Sequence, residues 1–169
     1  MSTLFLVGFR SLAWYTPVMR YWLMKSEPDV FSIDDLKAKK KSFWDGVRNY
    51  QARNFMMNDM AVGDMVLFYH SNATPPGIAG IARVCEAAKP DPTSWDKKSE
   101  YFDPKSTPST PRWFAVTVEF VKKWDQLLSL DEIRANKNLQ EMLVIKKGQR
   151  LSVQPVSKSH YDIITKLRS

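Results

Sequence analysis

Three short clusters in the first half of the chain place aromatic rings beside polar side chains. They are residues 21–28 (YWLMKSEP), 44–50 (WDGVRNY) and 67–72 (LFYHSN). Aromatic faces supply stacking area, whereas hydroxyl, carboxylate, amide and guanidinium groups supply directed hydrogen bonds. A planar ligand with polar edges, such as a nucleobase, needs both kinds of contact. The clusters therefore indicate a binding site for a base rather than a catalytic centre.

Three aromatic residues are candidates for the walls of such a pocket: Trp22, Trp44 and Tyr69. Trp44 precedes the turn-like pair Asp45-Gly46, which predicts a ring near the surface. Trp22 lies in an apolar strand, and this pattern is equally consistent with a position in the core and with a position in the pocket wall. Tyr69 follows Phe68, so their side chains lie on opposite faces of a strand and only one of them lines a site.

Ten polar residues are candidates for contacts to the edge of a base: Ser26, Glu27, Asp45, Arg48, Asn49, His70, Ser71, Asn72, Ser152 and Gln154. Asp45 or Glu27 would accept a hydrogen bond from the exocyclic amine of cytosine. Arg48 would hold a phosphate or stack on a base. Structural roles remain open, since Asn49 is a good helix cap and His70 can bond to backbone.

The chain is basic, with a net charge of +7 over 169 residues and a pI near 9.5. The excess is concentrated in the run Lys37–Lys41 and in residues 134–169. Such asymmetry favours nucleic acid as partner, ahead of an anionic membrane surface, although a solvated lysine surface remains open. The residues expected to contact phosphates are Lys39, Lys40, Arg53, Lys105, Lys146, Lys147 and Arg150.

Hydrophobic periodicity predicts alternating short strands and helices. Strands are expected at 21–24, 65–70, 78–87, 113–121 and 152–156, with the second and third forming a hairpin. Helices are expected at 33–40, 50–60, 130–136, 138–142 and 159–167, the first with a capping box from Ser32 and Asp35. A proline-rich loop occupies residues 89–111. This pattern fits a small mixed α+β barrel better than a parallel α/β sheet.

Cysteine and histidine are scarce. Cys85 is the only cysteine, and His70 and His160 are the only histidines, which leaves too few ligands for a structural zinc site. No cofactor is expected, and nothing in the sequence indicates an obligate protein partner, so we expect a monomer. The lack of a possible internal disulfide fits an intracellular compartment, either cytoplasm or nucleus.

Residues 1–19 read as an N-terminal extension to a domain at 20–168. The extension is apolar and hydroxyl-rich, and Arg10 is its only charged residue. It fits either a mitochondrial targeting segment or a start codon assigned too early, with Met19 as the true initiator. It is too short and interrupted to span a membrane.

Several long motifs, in order, resemble the EVE domain family. They are residues 21–28 and 44–56 (WDGVRNYQARNFM), with 68–72 (FYHSN), 76–80 (PGIAG) and 150–156 (RLSVQPV). The similarity runs from about Arg20 to Arg168. It implies an α+β fold, a PUA-like mixed β pseudo-barrel with short helices between the strands, related to the YTH readers of methylated adenine in RNA. It also implies non-catalytic binding of nucleic acid, in particular DNA, whose modified cytosine is held in an aromatic-walled pocket.

Two other functions are consistent with the same residues. A small-molecule or nucleotide sensor would use the pocket without a polymer. A nucleotide-modifying enzyme would pair Glu27 or Asp45 with His70 as acid and base.

Overall fold

Six β-strands form one mixed sheet in the computed structural model, which describes residues 18–168. They are β1 (Tyr21–Ser26), β2 (Lys41–Phe43), β3 (Met65–His70), β4 (Gly77–Pro90), β5 (Phe114–Ser129) and β6 (Val153–Val156). Their order in the sheet is β2-β5-β4-β3-β1-β6, with β1 parallel to β3 and all other neighbours antiparallel. Because β1 and β3 are parallel, their carboxyl ends at Ser26 and His70 lie at the same edge.

Short helices connect the strands, as expected for an α+β fold. They are α1 (Ile33–Lys39), α2 (Tyr50–Asn54), α3 (Leu130–Ala135) and α4 (Lys158–Leu167). The predicted capping box of α1 is confirmed, since Ser32 and Asp35 exchange backbone-to-side-chain hydrogen bonds. The helix ends at Lys39, one residue earlier than predicted, because Lys40 has a φ of 65° and leaves the helical conformation.

The predicted helix at residues 50–60 is divided in two. After α2 the chain continues as a π-helical turn at Phe55–Asp59, in which the Met60 amide donates to the Phe55 carbonyl at 2.8 Å. Asn49 caps α2, because its side-chain oxygen accepts from the Ala52 amide at 3.0 Å. Its structural role is therefore confirmed.

Two antiparallel hairpins form the centre of the sheet. The predicted β3–β4 hairpin is confirmed, and β4 also pairs with β5, which extends to Ser129 rather than ending at Val121. The edge strand β2 was not predicted, because three residues in a lysine-rich segment show no alternation. The predicted helix at residues 138–142 is wrong, since the chain there forms a 3₁₀ turn at Lys137–Leu139.

Hydrophobic cores lie on both faces of the sheet. Alternation along β1 sends Trp22 and Met24 into one core and Leu23 into the other. Along β3, Phe68 joins the first core and Tyr69 the second. The α4 helix covers the second core through Ile164, whereas Leu167 is 44% exposed at the end of its helix.

Candidate nucleic-acid interface

The carboxyl ends of β1 and β3 bring four predicted site residues together. The Ser71 amide donates to the Ser26 carbonyl at 2.9 Å, which continues the parallel pairing beyond the last strand residues. One turn further, the Asn72 amide group donates to Glu27 Oε1 at 2.7 Å. Asn72 has a φ of 50°, a left-handed conformation that asparagine tolerates well. This edge is therefore a hydrogen-bonded rim of polar side chains.

An open cavity of about 570 Å³ lies beside this rim. Six of the predicted site and phosphate-contact residues line it: Tyr69, Ser71, Asn72, Lys146, Lys147 and Arg150. Eight further residues complete the lining: Lys25, Pro76, Leu130, Arg134, Val144, Ile145, Gly148 and Gln149. The cavity thus combines one aromatic ring, an apolar wall and a cationic margin.

Tyr69 forms the aromatic part of the lining. The residue is only 3% exposed, because its ring packs into the second core. Burial raises the pKa of its phenol. Within residues 18–168 its hydroxyl has no hydrogen-bond partner, whereas every fully buried side-chain nitrogen or oxygen has one, so the hydroxyl is not fully buried. The hydroxyl therefore retains contact with the cavity, where it is free to bond to a ligand.

Lys25 projects from β1 into the same cavity. Its Nζ donates to the Gln149 carbonyl at 3.2 Å and lies 6.0 Å from the centre of the Tyr69 ring. Burial lowers the pKa of this amine. Within the described part of the chain no carboxylate pairs with Lys25, so an anion in the cavity would meet an uncompensated positive charge.

A tight turn at residues 146–149 forms the cationic margin. The Gln149 amide donates to the Lys146 carbonyl at 3.2 Å, and Gly148 has a φ of 75° that a residue with a side chain rarely adopts. Lys146 is paired with Glu141 at 3.5 Å. Lys147 and Arg150 are exposed, and neither has a carboxylate partner among the described residues. These two cations are therefore available to a ligand.

Both predicted tryptophan walls lie in the first core, not in the cavity. Trp22 is 3% exposed, and its indole N–H donates to buried Asp64 at 2.9 Å. Trp44 is 8% exposed rather than near the surface, because its ring packs edge-on against Phe68 at 5.4 Å and Phe31 at 6.4 Å. Since Tyr69 faces the opposite side of the sheet, the three rings do not form one cage.

Arg48 is held inside a cluster of its own and does not line the cavity. Its guanidinium donates to Asp91 at 2.7 Å, to Thr93 Oγ1 at 2.9 Å and to the Tyr101 carbonyl at 2.7 Å. Burial alone would raise the pKa of Asp91, but hydrogen bonds from Arg48, Thr93 and the Gly46 amide outweigh it and lower the pKa. This pair fixes the start of the long loop that precedes β5.

Asp45 lies beside that cluster and away from the cavity. The residue is exposed, yet neighbouring atoms shield its carboxylate enough to raise the pKa, and the charge of Asp91 adds to the shift. Asp45 is therefore a surface carboxylate that is easier to protonate than usual.

The remaining polar candidates are engaged in local structure. Ser26 Oγ donates to the Phe31 carbonyl at 2.7 Å, and His70 Nε2 accepts from the Ile33 amide at 3.1 Å. Desolvation lowers the pKa of His70, which favours the neutral ring that this bond requires. Gln154 is buried and donates to the Leu151 carbonyl at 2.8 Å. Ser152 precedes β6, and its carbonyl accepts from the Lys25 amide at 2.8 Å.

Four predicted phosphate contacts lie elsewhere on the surface. Lys39 is 5.1 Å from the Phe31 ring centre, and Arg53 donates to the Asn54 side chain. Lys40 and Lys105 are exposed, and neither lines the cavity. The basic run Lys37–Lys41 and the basic turn at 146–149 are thus separate surfaces.

Sequence reasoning missed Lys25, Arg134 and Gln149 as cavity residues. Lys25 stands within the first aromatic cluster, at the strand position alternate to Trp22 and Met24, and this alternation was the available signal. Arg134 is exposed near the end of α3 and pairs with Asp131 at 3.2 Å, which in the sequence looks like any helix-surface pair.

A six-stranded mixed sheet with short inserted helices and a basic cavity at one edge defines an α+β, PUA-like domain. The EVE domain family model matches residues 20–167, and the chain belongs to this family.

Curated relatives and solved structures agree with that assignment. Mouse thymocyte nuclear protein 1 is 40% identical over 185 residues, covering 99% of this chain and 79% of the mouse protein. A hypothetical protein from Leishmania major superposes with a TM-score of 0.85 at 53% identity, covering 89% of this chain and 94% of that one. The human THYN1 protein, solved in complex with DNA containing 5-methylcytosine, superposes with a TM-score of 0.82 at 40% identity, covering 89% and 98%.

Residues 18–168 contain no helix with the length and apolar character needed to cross a bilayer.

Proposed function

We propose that this EVE domain binds DNA and holds a modified cytosine in the cavity beside Tyr69. The observation that carries the proposal is the convergence of an aromatic ring, an apolar wall and five cations on one cavity. A structural relative, the human THYN1 protein, was solved with DNA containing 5-methylcytosine, which supports the same partner class here.

The size of the cavity suits one nucleotide. At about 570 Å³ it falls within the range of roughly 300–1,000 Å³ that is usual for small-ligand sites. Extruding a base from a duplex costs a few kcal/mol, and because the Tyr69 ring is only 3% exposed, contact with its edge returns less than the roughly 1–3 kcal/mol of a full aromatic stack. Hydrogen bonds to the base edge and ionic contacts to its phosphates must supply the rest.

The polar rim and the apolar wall of the cavity would recognise the base. Tyr69 offers its free hydroxyl to the base, while Val144 and Ile145 supply apolar contact for an added methyl group. Ser71 and Asn72 supply donors and acceptors at the base edge. Glu27, held by Asn72, is placed beside the rim to accept from an exocyclic amine.

The cations would contribute affinity for nucleic acid without selecting a particular base. Lys147 and Arg150 lie at the cavity margin without internal partners, so they are free to contact the phosphates that flank the bound base. Such contacts release counterions and make binding salt-dependent. Lys25, deeper in the lining, would favour a ligand group with negative charge or an acceptor.

The proposed role is reading rather than catalysis. The described residues that line the cavity include no carboxylate, imidazole or thiol. The acid–base pair of Glu27 or Asp45 with His70 is also disfavoured, because His70 Nε2 accepts from the Ile33 amide. We propose a location in the nucleus or cytoplasm, and the name of the mouse relative, thymocyte nuclear protein 1, supports the nucleus. The predicted mitochondrial targeting segment, residues 1–19, lies almost wholly outside the described residues.

A titration of matched oligonucleotides tests the proposal. Duplex DNA and RNA of one sequence, each with unmodified, 5-methylated or 5-hydroxymethylated cytosine, are titrated at one salt concentration together with the free modified nucleosides. We expect tighter binding to DNA with a modified cytosine than to the unmodified duplex. The Tyr69→Leu variant should lose this preference, whereas Tyr161→Leu, a change to a tyrosine that packs on Tyr21 away from the cavity, should keep it.

Three results would contradict the proposal. Equal affinity for all duplexes would reduce the protein to a general nucleic-acid binder. A nucleoside that binds as tightly as its oligonucleotide would identify a small-molecule sensor. Retained preference in a folded Tyr69→Leu variant would remove the cavity from base recognition.

A further inference from the structure

A second aromatic surface lies on the part of the molecule that carries the long loop. Tyr50 is 49% exposed although its ring stacks on Trp113, with centres 4.9 Å apart and planes 20° apart. Trp113 itself is only 5% exposed. Tyr50 is therefore a ring that Trp113 supports on one side and that remains partly exposed at the start of α2.

Two guanidinium groups lie over this ring in cation–π contacts. Arg53 lies 4.9 Å and Arg112 5.7 Å from the Tyr50 ring centre. Arg112 also donates to the Tyr50 hydroxyl, and Arg53 donates to the Arg112 carbonyl at 2.8 Å. We call the group Tyr50, Arg53, Arg112 and Trp113 the Tyr50 patch.

The patch keeps both positive charge and hydrogen-bond capacity. Asp103 pairs with Arg112 at 3.3 Å and offsets one of the two charges. Arg53 bonds to the Asn54 amide oxygen and the Arg112 carbonyl, both neutral acceptors. Since a guanidinium has five N–H donors, both arginines retain donors that no group in residues 18–168 accepts.

Contacts from the loop hold the patch in place. The Trp113 indole N–H donates to Asp103 at 2.7 Å, which also accepts from Arg112. Arg48 lies 5.4 Å from the Trp113 ring centre and is itself anchored by Asp91. A ligand would therefore meet a ring whose orientation is already set, and little conformational entropy would be lost on binding.

We propose that the Tyr50 patch binds single-stranded nucleic acid, with a base stacked on Tyr50 and neighbouring phosphates held by Arg53 and Arg112. An exposed ring beside cations is the arrangement that binds unpaired bases without sequence preference. A duplex keeps its bases stacked on one another and would offer the patch only phosphates.

This site differs from the cavity in residues and in position. Trp113 directly precedes the first residue of β5, whereas Leu130 of the cavity directly follows the last. The patch would therefore contact nucleotides other than the one held beside Tyr69. The inference goes beyond the proposed function and shares with it only the class of partner.

Fluorescence anisotropy with unmodified probes tests the patch alone. A 20-nucleotide single strand and the duplex of the same sequence are titrated with wild type, Tyr50→Ala and Tyr50→Phe. We expect Tyr50→Ala to weaken single-strand binding about tenfold, as for loss of one stacked base, and duplex binding less than twofold. Tyr50→Phe keeps the ring and should stay within twofold of wild type. Thermal melting confirms that each variant is folded.

Other outcomes overturn the inference. Unchanged single-strand affinity in folded Tyr50→Ala excludes stacking on Tyr50. If Tyr50→Ala loses the same affinity for the single strand and for the duplex, the patch contacts phosphates only. No single-strand binding by wild type removes this partner and leaves an acidic protein surface as the alternative. Failure of the cavity proposal is distinguishable, because it is read from modified-base preference and the Tyr69→Leu variant.

Discussion

Replacing Lys147 and Arg150 by glutamine should weaken DNA binding, and the loss of affinity should be larger at lower salt concentration. Both side chains are exposed at the margin of the cavity, and neither has an internal carboxylate partner among the described residues. Their removal breaks no ion pair, so the fold should be unaffected. If each contacts one phosphate, two counterion-releasing contacts are lost.

The size of the effect follows from counterion release. For duplex DNA each phosphate contact contributes about 0.9 to the slope of log affinity against log salt, so the slope should fall by about 1.8. Counterion release contributes nothing at about 1 M salt, where the double variant and wild type should bind DNA equally well. Relative to wild type, the double variant should then bind roughly 200-fold more weakly at about 50 mM salt and roughly 20-fold more weakly at about 200 mM. The ratio of modified to unmodified affinity should not change.

The assay is a titration of methylated and unmethylated duplexes at four salt concentrations. A double Lys97→Gln and Lys122→Gln variant is the control, because it removes the same charge from exposed positions that do not line the cavity. We expect the control to change affinity only slightly. A loss of the same size in the control, an unchanged slope in the Lys147 and Arg150 variant, or a loss confined to methylated DNA would each refute the reasoning.

Three further predictions concern the framework around the site. Trp44→Ala should lower the free energy of unfolding by about 3–5 kcal/mol, because it empties a buried ring site, and a change below about 1 kcal/mol in urea titration would place Trp44 outside the core. Asp91→Ala should cost about 3 kcal/mol by the same assay, since it leaves the Arg48 guanidinium, whose side chain is only 21% exposed, without its partner. The pKa of Glu132 is lowered to about 2, first by its bond from Arg168, so its stabilising effect is complete above its ordinary value of 4.5 and is lost as pH falls toward 2. As the pH falls from 4.5 to about 2, the melting temperature of Glu132→Gln should therefore fall less than that of wild type. Parallel plots of melting temperature against pH would contradict a stabilising role for the ionised Glu132.

Local bonds explain why the helix starts were predictable. The Ser32–Asp35 capping box and the Asn49 cap each join residues three positions apart. Such bonds depend on side-chain type and spacing, so the sequence is sufficient to predict them. The π-helical turn after α2 was not predictable in this way, because its apolar residues fit an ordinary helical face equally well.

The environment of each aromatic ring depended on distant partners. The pair Asp45-Gly46 predicts a turn and an exposed ring at Trp44, but residues 44–49 form neither a turn nor a bend. The ring is buried because other segments bring Phe31 and Phe68 against it. Alternation showed that Phe68 and Tyr69 face opposite sides. It did not show which side carries the cavity, because that depends on the order of the strands.

The amino-acid sequence by itself determined the α+β class, the caps, the β3–β4 hairpin and the basic character of residues 146–150. The tertiary structure alone decided which of these features meet. Lys25 and Gln149 are 124 positions apart and bond only because β1 lies between β3 and β6. Long-range strand pairing has no local signature, since one pattern of alternation permits several sheet orders. For this reason the cationic margin, Tyr69 and the polar rim became one site only in the folded chain.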